Sequence, residues 1–95
     1  TKSDLEAHLT QWGSKQATSS LGCVLAMEGA DPILDPSQLV DWHAQGLRLM
    51  SLTHYGENRY GGGTHTKTPL TSGAFALLKE IERVGIGLDL THLSD

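Results

Sequence analysis

Three short apolar runs alternate along this chain with amphipathic segments of helical period, and each run leads to one residue able to bind a metal or move a proton. The runs are residues 21–28 (LGCVLAME), 47–53 (LRLMSLT) and 86–91 (IGLDLT), and they lead to Glu28, His54 and His92. All three read as strands, and the first, apolar with no helical period, as a strand buried on both faces. Two residues before each polar residue stands an apolar one, Ala26, Leu52 and Leu90, on the same face if the strand alternation holds.

The intervening helices are marked by caps and stripes. Over residues 3–12, Ser3 and Glu6 have capping-box spacing, Leu5, Leu9 and Trp12 form a stripe, and Gly13 is the expected stop. Residues 15–20 read as a polar loop. A second helix starts at Asp35 as cap, with Pro36 in its first position, where a missing N–H is harmless. Leu39, Val40 and Trp42 give it an apolar side and Gly46 closes it. The third runs from residue 71 or 72 to 84, with Ala74, Leu77, Leu78, Ile81 and Val84 along one side and Gly85 as its left-handed stop. The order α, β, α, β, long loop, α, β predicts an α/β fold of parallel strands joined by crossovers.

Length and charge narrow the function. Ninety-five residues hold one small domain with a limited core. A net charge of −4 and a pI near 5.6 argue against nucleic acid or an anionic membrane as the main partner. The single cysteine, Cys23, excludes an internal disulfide framework and a Cys-only zinc site. It is expected to be a small core residue within its strand. No run is long enough for a transmembrane segment and no secretory signal is visible, so the expected location is cytoplasmic. The first residue is Thr1 rather than methionine, which suggests a piece of something longer.

In parallel α/β sheets, active sites gather at the carboxyl ends of the strands. Glu28, His54 and His92 would converge there, and a carboxylate with two imidazoles suits zinc or a similar divalent ion. The imidazoles must be neutral to bind, so affinity should fall on acidification. Each residue also has a structural reading, most simply as a hydrogen-bonded histidine. For Glu28 that reading is harder, because a carboxylate closing a buried strand is costly to desolvate unless paired or coordinated. His8 and His43 read as surface or packing residues, and His65 as a solvated loop histidine. Asp89 is expected to bond a neighbouring backbone or helix. Arg59 and Lys67 could attract an anion or only solubilise the loop. Residues 54–70 lack periodicity and include Gly61, Gly62 and Gly63. A phosphate nest is one reading of that glycine run; a hinge or simple flexibility is the better one.

Taken in order, Ala26-Met27-Glu28-Gly29-Ala30, Leu52-Thr53-His54 and Asp89-Leu90-Thr91-His92-Leu93-Ser94 resemble the membrane (renal) dipeptidase family, as does the segment 68–85 (TPLTSGAFALLKEIERVG). The resemblance covers roughly residues 21–95. It implies a (β/α)8 TIM-type barrel with two zinc ions, of which this chain is a fragment: a partial barrel domain over 1–95, with 1–20 its N-terminal helix and loop. It also implies that Glu28 bridges the metals, that His92 is a ligand of one, and that His54 contacts substrate and stabilises the tetrahedral intermediate. A hydroxide held between the metals would then hydrolyse the peptide bond of a dipeptide. The family's His-x-Asp motif, later histidine ligand, clamping arginine and final aspartate have no match in residues 1–95. After His54 the sequence Tyr-Gly-Glu-Asn-Arg-Tyr stands in place of the Asn-x-x-Trp-Ala-Asp pattern of the mammalian enzymes. The implied partners are a dipeptide or similar small amide and the remaining barrel segments, and a homodimer is compatible with them. Two other readings stay open: a small non-enzymatic module binding an anionic ligand through Gly61, Gly62 and Gly63, and a non-catalytic relative with an incomplete metal site.

Overall fold

The computed structural model describes residues 1–14 and 20–94. The loop expected at 15–20 therefore lies, apart from Ser20, outside the described residues. Helix α1 (Lys2–Gly13) is followed by strand β1 (Leu25–Met27) and a 3-10 turn (Pro36–Gln38) that runs into helix α2 (Leu39–Ala44). Strand β2 (Leu47–Ser51), helix α3 (Ser72–Val84) and strand β3 (Gly87–Asp89) complete the order. The three strands form one parallel sheet in the order β1-β2-β3. The fold is α/β, as the alternation predicts.

Local signals explain where most elements begin. The Asp35 carboxylate accepts from the Ser37 N–H at 2.9 Å, and Gln38 Oε1 accepts from the N–H groups of Leu34 and Asp35. Thr71 caps α3 through the Ala74 N–H, and Gly85 ends it at φ +84, a conformation open to glycine without a Cβ clash. Helix α1 forms where expected but caps differently: Thr1 and Asp4, not Ser3 and Glu6, make the capping box. Its end is Ser14 at φ −82 rather than a left-handed glycine.

The strands are shorter than the apolar runs. Leu25 pairs with Leu47, the first residue of β2, so residues 21–24 face no strand and leave the ladder. At the other end Ser51 pairs with Asp89, and β2 and β3 stop together.

The core gathers around β2 and the helices. Ile33, Leu39, Met50, Leu77 and Ile81 are buried together, with Met27, Leu78 and Val84 packed against them. Helix α2 packs on β2 and α3, and α3 also covers β3. Along the ladders Met27, Met50 and Leu88 share one face, buried at Met50 and 39% exposed at Leu88, whereas Ala26, Leu49 and Gly87 form the opposite row. That row is open among the described residues, and Leu49 is 40% exposed. The burial on both faces expected of the first strand is not observed, since Leu25 and Ala26 are exposed. Among the described residues β1 and β3 are the edge strands. Cys23 is exposed and lies before β1, not in a core strand. Leu5, Leu9 and Trp12 are likewise exposed, since α1 packs against no other helix or strand among the described residues.

Candidate active site

The carboxyl ends of all three strands meet. Glu28 directly follows β1, while His54 and His92 each lie three residues beyond β2 and β3. Glu28 Oε1 stands 3.4 Å from His54 Nε2 and 3.3 Å from His92 Nε2. One ligand atom from each of the three lies within 4.8 Å of the others. The two imidazoles meet edge to face, with centroids 4.6 Å apart and planes at 85°.

The convergence was expected, but not its means. Strand alternation stops at Ser51 and Asp89, so it cannot aim His54 or His92. Buried hydroxyls do that work. Ser51 Oγ accepts from the Gly29 N–H at 2.9 Å and donates to the Thr53 carbonyl at 3.2 Å, tying the residue after Glu28 to the residue before His54. Ala30 N–H adds a bond to the Leu52 carbonyl at 3.0 Å. Thr53, fully buried, donates from Oγ1 to the His92 carbonyl at 3.1 Å. His92 has φ +68, a conformation costing a non-glycine residue about 1–2 kcal/mol. Its ring Nδ1 lies 3.0 Å from Thr64 Oγ1. Nor is Glu28 a desolvated strand residue. Its side chain is 62% exposed, against 43% for His54 and 20% for His92. The carboxylate is open to solvent and to a ligand.

The long loop is ordered, and its glycines serve close packing. Gly62 donates its N–H to the Thr68 carbonyl and accepts from the Ser94 N–H, while Gly63 bridges to Leu93. A Cβ on Gly63 would stand 1.9 Å from the His54 carbonyl oxygen and 2.7 Å from that of Gly56. The glycine run is buried and stitched to the segment after β3, so the expected hinge is not what these residues form. Of the three N–H groups that an anion-binding loop would offer, that of Gly62 is already spent inside the fold. Asn58, which sequence reasoning passed over, fixes the loop entry: its Nδ2 donates to the Leu52 carbonyl (2.7 Å) and Asp31 Oδ2 (3.0 Å), and its Oδ1 accepts from the Tyr60 N–H. Burial pushes the Tyr60 phenol above its usual pKa, and its O–H donates to the Ile33 carbonyl.

Other candidates fall away from the centre. His65 is exposed and stacks on Tyr55, with centroids 5.0 Å apart, and is not among the three grouped ligands. Tyr55 in turn packs against the His54 and His92 rings. Asp89 accepts from the Thr91 N–H, the neighbouring-backbone bond expected of it, which holds its carboxyl below the ordinary range. His43 offers its carbonyl to Arg48, and Arg59 and Lys67 are exposed. Ser51, Thr53 and Thr64 were missed because a hydroxyl in sequence carries no sign of its distant partner.

The family model described as membrane dipeptidase (peptidase family M19) matches residues 4–95. A curated relative, Dipeptidase verJ of Clonostachys rogersoniana, is 28% identical over 79 residues, covering 78% of this chain and 20% of that protein. The matched part thus spans about a fifth of the relative's length. No solved structure matches. No helix among the described residues is long and apolar enough to cross a membrane.

Proposed function

This chain belongs to the membrane dipeptidase family, peptidase family M19, and on that basis we propose that its strand ends carry part of the active site of a zinc-dependent dipeptidase. The observation that supports this reading most directly is the approach of one Glu28 carboxylate oxygen to the Nε2 atoms of both His54 and His92. The donor set fits a divalent metal: one exposed carboxylate and two imidazole nitrogens, closely grouped at the carboxyl edge of a parallel sheet.

Glu28 is assigned the bridge between two zinc ions, and His92 a ligand of one. Bound zinc would supply Lewis acidity and lower the pKa of water held beside it. His54, the more open of the two rings, is assigned to the substrate. With its proton on Nε2 it can donate to the amide oxygen as negative charge develops there. Tyr55, 4.1 Å away between ring centroids, limits the directions that imidazole can take. The three parallel strands are read as part of a (β/α)8 barrel, a fold of about 250 residues. Its remaining ligands are assigned to sequence outside these 95 residues.

The test uses the whole protein that carries these residues. Glu28→Gln keeps the size of the side chain and removes its charge. Zinc content and dipeptide hydrolysis should both fall, by more than the roughly 10–100-fold loss typical of partners lying behind a ligand. Unchanged zinc content together with unchanged hydrolysis would sink the assignment.

A further inference from the structure

We propose that Thr64 is a positioning residue whose hydroxyl pairs with Nδ1 of His92 and so fixes Nε2 as the ring nitrogen that faces Glu28. The inference rests on the proposed metal role of His92, but its geometry stands apart from it. An imidazole has two nitrogens, and the bond made by one decides what the other can offer. Here Nδ1 is 3.0 Å from Thr64 Oγ1, and Nε2 is 3.3 Å from Glu28 Oε1. The two contacts occupy opposite sides of the ring and together define its rotation.

Both ends of this support are anchored. The His92 backbone is held in its left-handed conformation by the buried Thr53 hydroxyl on its carbonyl. Thr64 donates its own N–H to the His54 carbonyl at 3.2 Å, and its neighbour Gly63 bridges to Leu93, beside His92. The loop thus links the two histidines: its backbone binds the carbonyl of one and its hydroxyl binds the ring of the other. When Nδ1–H donates to Thr64 Oγ1, the Nε2 lone pair is free on the Glu28 side, as a ligand nitrogen requires. Thr64 is exposed, so replacing its hydroxyl removes this contact without opening the core.

The experiment compares Thr64→Val and Thr64→Ser in the whole protein, labelled with 15N at histidine. In metal-free protein above the range where histidine is protonated, Val should shift the His92 15N pattern that reports which nitrogen carries the proton, and Ser should leave it unchanged. In a zinc titration, Val should weaken binding about tenfold and Ser should restore it. An unchanged His92 pattern in Thr64→Val overturns the proposal whatever zinc does. A shifted pattern with unchanged zinc binding upholds the positioning role and counts instead against His92 as a metal ligand.

Discussion

Small hydroxyl side chains control the strand ends, and Ser51 shows how much one of them carries. Its Oγ accepts from the Gly29 N–H, donates to the Thr53 carbonyl, and is buried between β1 and β2. In Ser51→Ala the buried Gly29 N–H loses its acceptor. An unsatisfied buried donor costs about 1–3 kcal/mol. Urea unfolding should register that loss with an unchanged slope, since the surface exposed on unfolding is the same. The same substitution should loosen Glu28, one residue from Gly29, and, on the zinc role proposed for Glu28, lower zinc affinity more than global stability alone explains. None of this was legible in the local sequence, where Ser51 is one of three polar residues, with Arg48 and Thr53, in an otherwise apolar run.

At the scale of elements, two glycines that look alike in sequence do different work. Around Gly85 the space a Cβ would occupy is open, with nothing within 4 Å, yet its φ of +84 disfavours any side chain. Gly63 needs no special dihedral, yet two backbone carbonyls crowd the space a Cβ would take. Gly85→Ala should therefore destabilise α3's end by about 1–2 kcal/mol through backbone strain. Gly63→Ala forces the loop off the His54 carbonyl, with an overpacking penalty of about 1–3 kcal/mol or more. Thermal melts would rank the two, and histidine 15N spectra should change only for Gly63→Ala, which lies against the site. Gly85 was readable in advance because a helix stop is a local event. Gly63 was misread as flexible because close packing against a carbonyl nine residues earlier leaves no local trace.

For the whole molecule, the carboxylates give stability a direction in pH. The Ser37 hydroxyl and N–H hold Asp35 below the ordinary range, Arg83 does the same for Glu80, and the Thr91 N–H for Asp89. A lowered folded-state value means these groups bind protons more readily unfolded than folded. Their contribution is fully present above the unfolded carboxylate range, near pH 4, and is lost as pH falls through the folded values. The melting temperature should hold between pH 7 and 5 and decline below about pH 4; a flat profile down to pH 2 would contradict the assignment. The α/β alternation, the cap at Asp35, the stop at Gly85, the buried stripe of α3 and the three residues that meet at the strand ends could all be read from the chain alone. They follow from periodicity and capping, which are properties of neighbours in sequence. Where the core gathers, why Glu28 is exposed and which hydroxyls hold His92 emerged only from the folded arrangement. Thr64 lies 28 residues from His92 and Thr53 lies 39 away, and contacts at such separations exist only once the strands are laid side by side.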